Sequence, residues 1–168
     1  MSDLARSSIP SDAPRWYPIS PMERLLFEGF SIAFPQGWSE LEHEPTFSDP
    51  TEHERKTFGG PKSAGVLHVA LVPHDPEEPP ASLREHAGTL ARAWGRARGL
   101  RAPLSIASQV RPDGVLASAE YQLAGDYVAV WYLSNDELTL QASYVCDWRS
   151  RDQERALRER MIASMTFA

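Results

Sequence analysis

From Ser105 to Trp148 the sequence runs in short alternating segments separated by turn chemistry, and this pattern constrains the fold more than any other feature. Ser105–Val110, Val115–Leu123, Tyr127–Leu133 and Leu138–Trp148 read as four strands, because side chains two residues apart share a face. The connectors Pro112-Asp113-Gly114, Ala124-Gly125-Asp126 and Ser134-Asn135-Asp136-Glu137 are too short for crossovers. They predict hairpins, and therefore an antiparallel meander. In the third strand Tyr127, Ala129 and Trp131 alternate with Val128, Val130 and Tyr132, so both faces are apolar. A sheet of that kind must be covered on both sides.

Two helices are available as cover. Ser82 and Glu85 stand at capping-box spacing, where side chains satisfy the orphan backbone donors of a helix start. Leu83, Ala87, Leu90, Ala91 and Trp94 then form one apolar stripe, and Gly99 supplies a left-handed cap. Ser150 and Gln153 repeat the capping spacing ahead of a C-terminal helix with Leu157, Met161, Ile162 and Met165 on its apolar side. Its arginines and carboxylates, Arg158 among them, read as a solvated, salt-bridged face. Upstream, Leu25–Phe27 and Phe30–Phe34 read as strand with a bulge or close approach at Gly29. Lys56–Phe58 and Val66–Val72 add further strands.

The 168 residues are about one domain's worth. Residues 1–22, rich in Ser and Pro, are expected to form an arm, flexible or pinned by Trp16 and Tyr17, and residues 23–168 a single domain. The N-terminus lacks the basic start and apolar stretch of a secretory leader, and no run of about 20 apolar residues could span a bilayer. Cys146, the single cysteine, sits in an apolar run and reads as a buried hydrophobe. A cytoplasmic location without a membrane partner is the expectation.

Charge narrows the partners. A net charge of −6 argues against nucleic acid, which calls for a basic surface. The stretch Ser39–Glu54 carries Glu40, Glu42, Glu44, Asp49, Glu52 and Glu54 with no Lys or Arg before Arg55. These carboxylates, with Trp16 and Tyr17 of the arm, are the candidate partner-binding residues. Solvated surface is the plain alternative for the carboxylates, and anchoring of the arm is the plain alternative for the two aromatics.

Catalytic signatures are missing. The chain has no G-x-S-x-G elbow, no phosphate-binding loop and no G-x-G-x-x-G turn, and Gly59-Gly60-Pro61-Lys62-Ser63 reads as a hairpin turn. His43, His53, His68, His74 and His86 lack the spacing that puts metal ligands on one face. The expectation is therefore no catalytic residue, no metal and no cofactor.

Phe27-Glu28-Gly29-Phe30-Ser31-Ile32-Ala33-Phe34-Pro35-Gln36-Gly37-Trp38 resembles the opening of the Mog1/PsbP/DcrB-like domain family, an apolar strand running into a P-x-G-W turn. The later order of short strands, long helix, meander and C-terminal helix is also similar, over about residues 24–168. The resemblance implies an α+β fold, an α/β/α sandwich around a curved antiparallel sheet with a long central helix and a C-terminal helix. It also implies a binding protein, since that family includes a partner of the Ran GTPase, a photosystem subunit and envelope lipoproteins, with no shared catalytic residues. The expected function is a non-catalytic protein-binding module, either an adaptor or a neutralising, immunity-type inhibitor. A carrier or sensor of a small apolar ligand lined by Trp94, Trp131, Tyr132, Tyr144 and Trp148 is the alternative. An enzyme assembled from distant histidines ranks last.

Overall fold

The computed structural model describes residues 21–42, 55–100 and 102–168. The expectations for Trp16, Tyr17, His43, Glu44, Asp49, Glu52, His53 and Glu54 lie outside the described residues. The fold is α+β, mostly sheet with two helices.

The described residues begin with a hairpin of β1 (Met22–Phe27) and β2 (Phe30–Pro35). Gly29 is the turn of this hairpin, with φ +84°, rather than a bulge within one strand. Then follow β3 (Ser39–Glu40), β4 (Lys56–Gly59), β5 (Gly65–Pro73) and α1 (Leu83–Arg96). The predicted meander is β6 (Ser105–Arg111), β7 (Gly114–Leu123), β8 (Asp126–Ser134) and β9 (Leu138–Asp147). Helix α2 (Arg155–Ser164) and the two-residue β10 (Thr166–Phe167) end the chain.

The strands divide into two sheets, which alternation alone did not show. Seven strands pair antiparallel in the order β3-β4-β5-β9-β8-β7-β6, and β1-β2-β10 form a separate small sheet. Among the described residues the large sheet stays open between its edges β3 and β6, and it is not strongly curled.

Each face of the large sheet carries its own core. On one face Ala87, Ala91 and Trp94 of α1 pack against Ala117, Ala119, Tyr121, Val128 and Val130. On the other, Leu67, Val69, Tyr127, Ala129, Leu133, Leu140 and Tyr144 meet Phe30, Ile32 and Phe34 of β2 and Met161, Ile162 and Met165 of α2. Beside β2, the Ser164 hydroxyl accepts the Ala33 N–H at 2.8 Å where β10 no longer provides a strand neighbour.

Ser82 caps α1, its hydroxyl accepting the Glu85 N–H at 3.4 Å, and Gly99 adopts φ +73°, both as the sequence predicts. The second predicted capping box fails. Asp147 instead accepts the Arg149 N–H at 2.8 Å and starts a short 3-10 turn at Trp148–Ser150, so α2 begins only at Arg155.

Arg158 corrects a second expectation. It is 2% exposed rather than solvated. Its guanidinium donates to the Arg151 carbonyl at 2.6 Å and the Tyr127 hydroxyl at 3.1 Å, and lies over the Tyr127 ring at 4.8 Å. Carbonyl, hydroxyl and ring face together replace the water that the buried cation has lost. Beside it the Tyr144 hydroxyl donates to Glu154 at 2.6 Å, and burial pushes the phenols of Tyr127 and Tyr144 well up from their ordinary value.

Two substitutions test these contacts. In Arg158→Ala the Tyr127 hydroxyl and Arg151 carbonyl lose their buried partner, and the expected loss is about 3 kcal/mol in urea unfolding. Arg158→Lys should recover little of it, because an ammonium lacks the planar fork. Gly95→Ala places a Cβ into the Tyr121 ring, whose hydroxyl is fixed to the Ala91 carbonyl at 2.7 Å. Although Ala favours a helix by about 1 kcal/mol, overpacking of about 1–3 kcal/mol should win, lowering the thermal midpoint.

Candidate functional site

Helix α1 covers only part of its face of the large sheet. It sits over β7 and β8, where Ala87 and Ala91 meet Ala117 and Ala119 and the small side chains permit close approach. Beyond it, β9 and β5 present Gln141, Ser143, Val145, His68 and Ala70 along the same face. This strip of sheet is the floor of a groove whose wall is α1. Two adjoining cavities of about 460 and 330 Å³ make up the groove and share Leu90, Tyr132 and Gln141.

The larger cavity has an apolar wall of Leu90, Ala93 and Trp94 and a more polar floor. At its mouth Arg98 lies over the Trp94 ring at 3.9 Å and donates to the Trp94 carbonyl at 3.1 Å, with Arg55 and Asp126 nearby on the lining. On the floor the His68 ring meets the Thr57 hydroxyl at 2.9 Å. The Tyr132 phenol is pushed up to about 12, chiefly by burial, with Arg98 pulling the other way.

The loop between β5 and α1 flanks the smaller cavity, with Pro73, His74, Asp75, Glu78 and Pro80 on its lining. His74 Nε2 lies 2.6 Å from the Thr139 hydroxyl, which is itself 2.9 Å from the Ser134 hydroxyl. His74 Nδ1 is buried without a hydrogen-bond partner among the described residues. The His86 ring stands edge-on to His74 at 5.1 Å. Thr139 is buried, and its hydroxyl is shared between His74 and Ser134 on the cavity lining.

The structure places the predicted site residues as follows. Glu40 is exposed on edge strand β3 and bridges to Lys56 at 3.0 Å, so its charge is partly met within the chain. Glu42 is exposed. The aromatic set does not converge on one pocket: Trp94 and Tyr132 line the groove, whereas Trp131, Tyr144 and Trp148 pack on the opposite face. Cys146 is buried, and burial pushes its thiol up. Among the described residues no group of three His, Cys, Asp or Glu could hold a metal ion, and no helix is long and apolar enough to cross a membrane.

The sequence reading missed the groove itself and the pairing of His74 with His86. One signal was present. Thr139, Gln141 and Ser143 are polar at alternate positions of an otherwise apolar strand, which marks a face that no helix seals.

The histidine pair has a consequence for stability. His86 is held below its ordinary value near 6.5, first by burial and then by His74. The unfolded chain therefore takes up that proton more readily than the native one. Stability is fullest above the unfolded value, declines as pH falls through it, and levels off below the native value. With Asp75 and Glu78 lining the same cavity unchanged, His86→Gln should give a shallower decline between about pH 7 and 5 in urea unfolding.

No family model matches the sequence, and no curated protein matches it. The solution structure of cyanobacterial PsbP (CyanoP) from Synechocystis sp. PCC 6803 matches with a TM-score of 0.65 at 10% sequence identity. The match covers 89% of this chain and 94% of that one. A protein of Bacteroides thetaiotaomicron VPI-5482 matches with a TM-score of 0.49 at 14% identity, over 83% of this chain and 45% of that one. The likeness to CyanoP spans nearly the whole of both chains, and it is a likeness of fold: this chain has a PsbP-like fold.

Proposed function

We propose that the protein is a non-catalytic binding module for a protein partner, an adaptor or a neutralising inhibitor, and that the groove beside α1 is its binding surface. One observation carries the reading. The two adjoining cavities form an open trough floored by a sheet and walled by a helix, with apolar side chains along the wall and polar ones at intervals. An extended segment of a partner fits such a trough, its apolar side chains against Leu90 and Trp94 and its polar groups over Gln141 and Ser143.

The acidic residues Glu40, Glu42, Glu44, Asp49, Glu52 and Glu54 then act as a steering surface for a basic partner, with Trp16 and Tyr17 as further contacts. The same reading takes the fold as an α/β/α sandwich of the Mog1/PsbP/DcrB-like kind, working in the cytoplasm without cofactor. Apolar cores on both faces of the large sheet support the sandwich. The second reading, a carrier of a small apolar ligand, draws on the same groove, because Trp94, Leu90 and Tyr132 give it apolar walls.

The test is affinity purification of the tagged protein from its host with a photo-crosslinker at Gln141. A single crosslinked protein is expected. Gln141→Trp, which fills the floor between the cavities, should weaken its binding by about tenfold or more. Joint substitution of Glu40, Glu42 and Glu44 by Lys should slow association and reduce its salt dependence. A co-purified small molecule without a protein would favour the carrier. A partner that crosslinks elsewhere and ignores Gln141→Trp would remove the groove from the account.

A further inference from the structure

The geometry points to a second binding surface, independent of the groove: the edge of β6 that no other strand among the described residues pairs with, which we propose pairs with β6 of a second copy of this chain to form a twofold dimer through a continuous antiparallel sheet. The large sheet ends in two very different edges. β3 is two residues long and carries Glu40, whose carboxylate is bridged to Lys56. Shortness and charge are the usual ways an edge is kept from pairing. β6 has neither protection. It runs for seven residues as Ser-Ile-Ala-Ser-Gln-Val-Arg, without proline, and its one charged residue, Arg111, is turned to Asp113 and the Ile162 and Met165 carbonyls of its own chain.

The strand is also uncovered. Ser105 to Val110 are all exposed, including Ile106 at 40% and Val110 at 71%, with Leu104 just before them at 56%. Ile106 lies beside Ala119 and Val110 beside Val115, so both point to the face that carries α1. Above Ile106–Ser108 a cavity of about 460 Å³ remains between the strand and Arg84, Glu85, Gly88 and Arg92 of α1.

The occupant follows from the order of these side chains. A twofold axis through Ser108 sets Ile106 opposite Val110 of the second copy, and Val110 opposite its Ile106. Ala107 then faces Gln109, and Ser108 faces itself. One register thus covers both large apolar groups of the edge twice over, on one face, and the backbone N–H and C=O groups of both edges gain partners. The helix residues flanking the edge, Arg84, Glu85 and Arg92, carry both signs, so the approach meets no single-sign barrier. A strand pair of this length gives a small interface, which belongs to the weak and reversible class.

Sedimentation velocity on the full-length chain, over about 10 µM to 1 mM, tests the pairing in the range where small interfaces associate. The wild type is expected to move from one chain to two. Val110→Lys and Ile106→Glu alter exposed positions and should leave the fold intact by circular dichroism. Each should weaken association by about tenfold or more, since each places a charge against an apolar group at two symmetric sites. The double variant Ile106→Glu with Val110→Lys should recover association, and addition of salt should weaken it again. In the stated register every introduced carboxylate faces an introduced ammonium of the other copy. A wild type that stays monomeric throughout overturns the proposal, and so does a dimer that neither single variant weakens. Loss in the single variants without recovery in the double variant overturns the register. Gln141→Trp should leave the association unchanged, so failure of the groove reading and failure of this one are separable.

Discussion

Strand β8 turns Val128, Val130 and Tyr132 to one side and Tyr127, Ala129 and Leu133 to the other, and all six are buried. A central strand apolar on both faces cannot rest against water on either, so the remainder of the chain is arranged to cover it. One side takes α1. The other takes the small sheet and α2, with Phe34 stacked on Phe58 at 4.4 Å and Phe27 on Phe30 at 4.8 Å filling the layer between. The P-x-G-W turn belongs to this layer, with Trp38 stacked at 6.2 Å on Phe34.

The two covers differ in width, and the candidate site is the result. An α-helix with its side chains is about 10 Å across, and strands lie about 4.8 Å apart, so one helix shields roughly two strands. Over seven strands α1 must leave open sheet. On the side toward β9 and β5 that shortfall is the groove, where polar Gln141 and Ser143 share the floor with Ala70 and Val145. On the side toward β6 it is the cavity above Ile106 and Ser108. The opposite face has a sheet and a helix side by side and shows the larger continuous core.

Covering the second face had a local cost. Helix α2 brings Arg158 into the interior, and its charge is tolerated because a carbonyl, a phenol and a tyrosine face are already in place around it. This contact ties the C-terminal helix to β8 in one orientation, whereas apolar contacts from Met161 and Met165 alone would permit sliding.

Much of this was determined by the sequence alone. Alternation with short Gly- and Asp-containing connectors specified β6 to β9, since a two-residue side-chain period admits no other regular structure. Ser82 and Gly99 bounded α1 because helix ends need local partners for their backbone groups. What tertiary structure decided was relational. Arg158 stands among charged neighbours that look solvated in sequence, and it is buried because α2 lies across β8 and β9. The division into two sheets depends on which edges meet, and Thr166–Phe167 is too short to announce a strand until β2 lies beside it. The groove was not legible because it is made of what α1 fails to cover, and that width is fixed only when the helix is set on the sheet. His74 and His86 come together for the same reason, since eleven residues of loop and helix lie between them in sequence and only packing closes that distance.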